Sequence, residues 1–391
     1  MKHALRAAWR RLPESVRYGL RPVNAVEESA SFLPSVPRLA LLEAVRAYRS
    51  VLSAARHRGS LALLEGVSRV DGAVLRVAVD LSRDAEAYWS GLLFEGAPER
   101  RVVGELRGPF GFARAVLPDA DLTVLRLNRL ARGRARAHGF LAVPAWVQTS
   151  LDTSRALDAI AEGPRSGRSS RKNDIRRAKK SGFTAVLGTG AAEVHHFFDE
   201  WCLPFTRTRF GAGAIPIGRD WMRQIARICD VMWIEHAGNR VGGALLEPRG
   251  RELRNLAFGV RDPAVVRDGV LTACYWLMIE HAVREGYRAL QLGSSRPVLS
   301  DGVLRHKLKW GGVLTPVRQW DYFAVGIARD NAPARAILAA HPLIAEGEND
   351  RFVAVTTGDP SNIPPTFGLE GLLKPAPNGW TINPLTSEEA A

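Results

Sequence analysis

Val231–Phe258 reads VMWIEHAGNRVGGALLEPRGRELRNLAF. Three largely apolar runs, Val231–Glu235, Val241–Glu247 and Glu252–Phe258, are separated by the short polar connections Ala237–Arg240 and Pro248–Arg251. Gly and Asn in those connections accept positive φ, so the spacing predicts an antiparallel three-stranded meander. Downstream, Gly259–Asp268 reads as a loop and Leu271–Glu285 as a mostly apolar helix stopped by Gly286. A strand at Ala289–Leu292, a helix at Gly302–Trp310 and a last strand at Thr315–Phe323 complete that side. Upstream, Phe183–Leu187 is a strand candidate, and Ala191–Thr208 and Arg219–Cys229 have helical patterning. Strands alternating with helices in this way place the second half in the α/β class.

The chain of 391 residues is long enough for two domains. Its hydrophobic fraction of 46% and charged fraction of 24% are those of a folded globular protein and exclude wholesale disorder. Lys plus Arg exceeds Asp plus Glu by 54 − 40 = 14, and the sequence pI is about 10.4. Such a field favours polyanions: RNA, a phosphorylated cofactor, an acidic carrier protein or an anionic membrane surface. Cys202, Cys229 and Cys274 have neither CxxC spacing nor an even count, so no disulfide framework or metal site is expected, and a reducing cytoplasm suits them. No signal peptide or spanning segment is expected. Leu5, Trp9 and Leu12 would share one side of a basic helix, which either packs on its own domain or makes peripheral membrane contact.

In the first half, Leu39–Arg56 has helical periodicity, as does Asp84–Leu93. Leu61–Val67, Ala73–Val79, Glu105–Phe112 and Leu122–Leu127 read as strands. Pro144–Thr153 reads as a junction, and the tail from Ala332 onward shows no obvious second core. After the junction, Gly163–Lys180 (GPRSGRSSRKNDIRRAKK) carries eight basic residues against the single acid Asp174.

Three segments resemble the GNAT superfamily, and within it the FemAB-like and CelD-like acetyltransferase group. SSRKNDIRRAKKSGF (Ser169–Phe183) resembles that group's opening segment, a paired-arginine helix before the first strand. WIEHAGNRVGGALLE (Trp233–Glu247) resembles its central hairpin. LQLGSSRPVLSDGVLRHKLKWGG (Leu290–Gly312) resembles its closing signature, with Gly293, Lys307, Trp310 and Gly311 at the matching places. The resemblance covers about residues 151–325. It implies a GNAT-type mixed sheet flanked by helices and, with a diverged upstream copy, two tandem GNAT-like domains. The expected division is a basic segment at 1–22, a diverged GNAT-like domain at 23–150, the acyltransferase-like domain at 151–325 and a C-terminal extension at 326–391.

It also implies N-acyl transfer from an acyl thioester to an amine, in cell-surface polymer or glycan biosynthesis. Acyl-CoA or an acyl-carrier thioester would be the co-substrate, with no covalently bound cofactor. The donor would lie against Glu252–Phe258, beside Leu256 and Phe258, with a phosphate at Arg267 and Gly269 where a helix starts. The alternative there is an ordinary helix start with a surface arginine. Lys307 would meet a phosphate or the charge developing on the donor, or else lie on a solvated helix face. His306 would be a general base or a surface residue, and Ser295 and Arg296 site residues at a strand end or plain loop. Arg176 and Arg177 would contact an anionic substrate, or form part of a solvated charge run. Glu247 is a further candidate base. His195, His196 and Glu200 lack another ligand, so no metal is expected. Two alternatives stay open: an aminoacyl-tRNA-dependent FemAB-type transferase, and a non-catalytic binder of anionic ligands.

Overall fold

The computed structural model describes residues 58–107, 117, 119–162, 168–211, 218–315, 321–327, 331–347, 351–359, 369–376 and 379–384. The basic segment 1–22, the helical stretch Leu39–Arg56 and the end of the strand expected at Glu105–Phe112 lie outside them. The first half is built on strands β1 (Arg58–Val67), β2 (Val74–Asp80), β3 (Glu99–Arg107), β4 (Leu122–Asn128) and β5 (Leu141–Pro144). Helix α1 (Arg83–Leu93) follows β2 and packs Trp89 and Leu93 into the core. The sheet order is β3-β1-β2-β4-β13-β5, where β13 is Asp321–Ile327 from far along the chain. The strand read at Thr315–Phe323 is therefore two strands: β12 (Val313–Thr315) in the second sheet and β13 in the first. Tyr322–Gly326 are buried because a core packs on each face of the strand, with Phe323 and Val325 in one and Tyr322 and Ala324 in the other.

The second sheet has the order β12-β6-β11-β10-β9-β8-β7. Its members are β6 (Val147–Asp152), β7 (Thr184–Thr189), β8 (Asp230–His236), β9 (Asn239–Arg249), β10 (Glu252–Val260), β11 (Ala289–Ser295) and β12. The expected meander is β8-β9-β10, turned at Ala237 (φ 50°), Gly238 (77°) and Gly250 (61°). The stretch read as a junction is instead β6, antiparallel to both β11 and β12. The first sheet thus takes β13 from far beyond residue 151, and the second takes β6, which spans the expected boundary at 150/151, so the halves are tied together.

Between the strands run α2 (Arg132–Ala137), α3 (Leu157–Glu162), α4 (Arg168–Lys180), α5 (Ala191–Phe197), a π turn at Phe198–Cys202, α6 (Leu203–Phe210) and α7 (Arg219–Ile225). Then come α8 (Pro263–Arg267), α9 (Val270–Arg284), α10 (Gly302–Lys309) and α11 (Ala332–Ala340). The apolar α9 buries Ala273, Cys274, Trp276, Met278 and Ile279 in a core shared with β8–β11, while Ile175 and Ala178 of α4 join the same core. The larger of these, Met278, Ile279 and Ile175, each contribute roughly 1.5–3 kcal/mol of burial. Two facing glycines of β9 and β10 have a packing reason. Gly259 pairs with Gly243, and a Cβ on Gly259 would lie 2.8 Å from the Cys202 nitrogen, so the π turn can sit directly on the sheet only over glycine.

The tail is not coreless. Ala334, Ile337 and Leu338 of α11 join the first sheet's core. β14 (Leu343–Glu346), β15 (Phe352–Val355), β16 (Leu369–Ala376) and β17 (Gly379–Pro384) form a third sheet. Ile344, Phe352 and Ala354 of that sheet pack with Val147 of β6 and Leu304 and Leu308 of α10. Among the described residues no helix is long and apolar enough to cross a membrane.

One member of the basic run is not on the surface. Arg171 is fully buried and donates to the carbonyls of Ala161, Glu162 and Lys309, the last of these at 2.7 Å. These carbonyls lie at the C-terminal ends of α3 and α10, where unpaired acceptors and the helix dipole favour a cation. Arg171→Met is expected to lower unfolding free energy by about 3 kcal/mol, because it strands buried carbonyls. Urea denaturation reads this directly, and a loss under about 1 kcal/mol would show that water or neighbours replace the guanidinium.

Candidate active site

Parallel pairing between β10 and β11 runs only through Glu252↔Ala289, Leu253↔Leu290 and Arg254↔Gln291. Two irregularities end it. The β9–β10 register shifts between Asn255 and Ala257, leaving Leu256 as the extra residue of a bulge. The β11–β6 register shifts between Gln291 and Ser294, around Gly293 at φ 82°. From there the strands part. β10 stays bonded to β9, and its other edge borders a cavity of about 820 Å³.

Apolar side chains form most of the wall: Phe198, Leu203, Phe205, Leu256, Phe258 and Tyr275, with Leu271 and Thr272 at the first turn of α9. The polar lining contains an unusual share of buried atoms lacking a hydrogen-bond partner: Arg254 Nε (4.0 Å from the Glu252 carboxylate), Asn255 Oδ1, Gln291 Oε1, Ser295 Oγ and Tyr88 Oη. Such atoms are rare in native interiors, and here they share one cavity, as a site for a polar ligand requires. The first half contributes Tyr88 from α1 and Trp146, so the cavity lies where the two sheets' segments meet.

Of the residues picked out in the sequence, Ser295, Arg296, His306, Leu256, Phe258 and Glu247 line this cavity. Arg296 is buried, with its guanidinium carbon over the rings of Trp146 and Tyr88. Glu247 lies opposite Arg254 in the β9–β10 ladder, 3.6 Å from its Nη1. Lys307 is not on a solvated face and is not among the lining residues: it is 3% exposed and donates to the Ser294 carbonyl at 2.8 Å. Burial lowers its pKa from 10.5 to about 7. Lys309 pairs with Asp174 across to α4. Arg267 is exposed at the end of α8, and Gly269, at φ 94°, precedes the start of α9; neither lines the cavity. Arg176 and Arg177 are exposed on α4, outside the cavity, with Arg176 bonded to Asn173. His196 packs beside Trp233. Among the described residues no group of three or more His, Cys, Asp or Glu could hold a metal ion.

His306 is held by neighbours. Trp310 Nε1 donates to its Nε2 at 3.1 Å, and its ring lies 4.8 Å edge-on from that of Tyr275. With Nε2 accepting, the network assigns the proton to Nδ1. Burial, then the charge of Lys309, pushes its pKa down to about 4. It is therefore neutral at pH 7 with its lone pair engaged, a poor base and a usable Nδ1–H donor. An NMR titration of His306 is expected to show its midpoint near 4, not near 6.5. Because the unfolded imidazole binds its proton more readily, this residue's contribution makes stability fall as pH drops from about 6.5 towards 4. Cys202 also lines the cavity, but burial pushes its thiol up to about 11, so no thiolate nucleophile is at hand.

Tyr88, Trp146, Arg254, Asn255 and Gln291 escaped the sequence reading. Arg254, Asn255 and Gln291 left one signal, polar side chains inside otherwise apolar strands. Tyr88 and Trp146 left none, because only the tertiary fold brings them here.

The site is thus an opening in a helix-flanked mixed α/β sheet, where a parallel pair splays beside the start of a buried helix and polar atoms without hydrogen bonds line the gap. Residues 165–307 match the family model described as an acetyltransferase (GNAT) domain. Residues 165–307 thus carry a GNAT-type acetyltransferase domain, and acyl transfer is the class of chemistry that such a domain supports. No curated protein matches the chain. Among solved structures it is similar to L-PGS from Bacillus licheniformis (14% identity, TM-score 0.34, covering 71% of this chain and 88% of that one). It is also similar to FemX (12%, 0.37, 67% and 83%). A third is a tandem GNAT protein from the clavulanic acid biosynthesis pathway (15%, 0.30, 80% and 95%). At these TM-scores the likenesses specify neither donor nor acceptor.

Proposed function

We propose that the protein transfers an acyl group from a thioester, acyl-CoA or an acyl-carrier thioester, to an amine acceptor within the cavity between β10 and β11. The observation that carries this reading is the end of parallel pairing at Arg254/Gln291, which leaves one edge of β10 to a bound chain. A pantetheine-like arm hydrogen-bonds to such an edge much as an added strand would. The first turn of α9, where Leu271 and Thr272 line the cavity, offers unpaired N–H groups and the positive end of the dipole to a phosphate. Arg267 is close in sequence and free to turn towards it.

In the reaction the amine nitrogen attacks the thioester carbonyl, and the tetrahedral intermediate collapses to an amide and a thiol. Glu247 takes the amine proton, directly or through water. Of the lining carboxylates among the described residues it is the one available, since Asp301 is engaged with the Val303 and Leu304 amides. The Nδ1–H of neutral His306 stabilises the developing negative charge, a placement typically worth a hundredfold or so in rate. Three buried free thiols suit a reducing cytoplasm as the place of work.

Thermal unfolding with acetyl-CoA, longer acyl-CoAs and charged tRNA tests the donor class, because a ligand of the folded state raises the midpoint. A CoA-specific rise is expected. A rise with aminoacyl-tRNA alone would replace the thioester with an aminoacyl ester, and no rise with any donor would sink the reading.

A further inference from the structure

The acyl-transfer chemistry above has no use for Arg296, and its surroundings are those of a binding group. Its side chain is 8% exposed, with Cζ 4.1 Å from the Trp146 ring centroid and 4.5 Å from that of Tyr88. Rings take up the faces of a guanidinium and leave its five N–H donors, which lie in its plane, for other partners. Among the described residues none of those donors meets a hydrogen-bond acceptor or a carboxylate. Asp301 and Asp84 contribute negative potential at Arg296 without bonding to it.

Two further groups beside it are unspent. Ser295 Oγ and Tyr88 Oη are both buried, both without a partner, and both belong to residues lining the same cavity. A mostly buried cation whose N–H groups open onto a cavity lined by two idle hydroxyls leaves several donors unspent. Its complement is an anion with more than one acceptor oxygen. The planar fork fits a carboxylate in bidentate fashion, and the field of Asp301 and Asp84 favours a monoanion over a phosphate dianion.

We propose that Arg296, Ser295 and Tyr88 bind a carboxylate carried by the amine acceptor, so that the acceptor is an amino acid or a molecule with an amino-acid-like carboxylate. The word acceptor rests on the acyl-transfer reading; the carboxylate site rests on its own geometry. Tyr88 and Trp146 belong to the first half, whereas the donor features, the β10 edge and the start of α9, belong to the second. The two ligands therefore meet different walls of one cavity.

The test needs no acyl donor. Unfolding midpoints of the full chain are measured with acetate, N-acetylglycine and N-acetylphenylalanine, with the amides of the two N-acetyl acids, and with inorganic phosphate. At least one carboxylate is expected to raise the midpoint in proportion to the logarithm of its concentration, and its amide is not. Arg296→Lys keeps the charge but loses the fork and is expected to weaken binding about tenfold. Tyr88→Phe and Ser295→Ala each remove one idle hydroxyl. Each is expected to weaken binding about threefold while the ligand-free midpoint holds or rises, since the deleted group has no partner to lose. The two hydroxyl variants keep the test sharp if Arg296 variants fail to fold. Equal shifts with acids and amides, shifts with phosphate only, no shift with any carboxylate, or full carboxylate affinity in all three variants would each overturn the proposal. Failure of acyl transfer with carboxylate binding intact would instead strike the donor reading alone.

Discussion

Gly293→Ala is expected to abolish donor binding and to lower N-acyl transfer by at least about a hundredfold, the scale of loss when reacting groups are displaced by about an ångström. Gly293 sits at φ 82°, a backbone conformation costing an L-residue about 1–2 kcal/mol. A Cβ there would also lie 2.9 Å from the Asn255 carbonyl oxygen, a backbone atom of β10 that cannot swing aside as a side chain can. Relief requires moving one of the two strands that border the cavity, or flipping the turn that presents Ser294 and Ser295. Gly133→Ala in α2 is the control: no atom lies within 4 Å of a Cβ there, and helix stability is expected to rise by about 0.5–1 kcal/mol with activity unchanged. Acetyl-CoA-dependent acylation and the unfolding midpoint of both variants check this. Full activity in Gly293→Ala would mean that the cavity tolerates closure of the β10–β11 split.

Lys307→Met is expected to make the protein more stable and less active. In the unfolded chain the ammonium keeps its proton to about pH 10.5, whereas burial releases it in the native state above about pH 7. Between those values the unfolded chain binds more protons, so this group makes stability climb as pH rises from 7 to 10.5. Below pH 7 the cost of holding the buried charge is complete and constant, of order 4 kcal/mol. Methionine fills the same space without that cost, but strands the Ser294 carbonyl for about 1–2 kcal/mol. The expected net gain at neutral pH is about 2 kcal/mol, with a flattened stability profile from pH 7 to 10. Transfer is expected to fall at least about tenfold, because the strand end beside Gly293 loses its anchor. Lys307 touches no part of the cavity, so it is a positioning residue, and the pairing of higher stability with lower activity is its signature. Denaturant unfolding at several pH values, beside an acylation assay, reads both. Destabilisation at pH 7 would show the buried charge to be compensated, and retained activity would remove the anchoring role.

Local pattern determined how far the sequence could be read. The meander was legible because its strands are apolar runs punctuated by glycines with positive φ, and α9 because its apolar stretch ends at Gly286. β6 and β13 were not, since neither belongs with its neighbours in the chain: a strand's choice of sheet depends on long-range pairing, which leaves no local mark. The tail's β14 and β15 are too short to show a period and become a core only against the first sheet on one face and β6 and α10 on the other. Of the cavity's lining, Ser295 and Arg296 stood out by their place after a strand end, and His306 as a side chain that titrates near neutrality. Lys307 was placed on a surface or phosphate because lysines usually are, and only the three-dimensional fold shows it buried under that same strand end. Arg171 was hidden in the same way, one buried residue inside a run that otherwise reads as solvated charge.

Amide hydrogen exchange of the full chain, with and without acetyl-CoA, tests the central claim most directly. If a thioester donor lies along the open edge of β10, exchange slows at Leu256–Val260 and at the first turn of α9. Acyl-CoA binding without protection of these amides, or with protection confined to the exposed face of α4, would contradict the account.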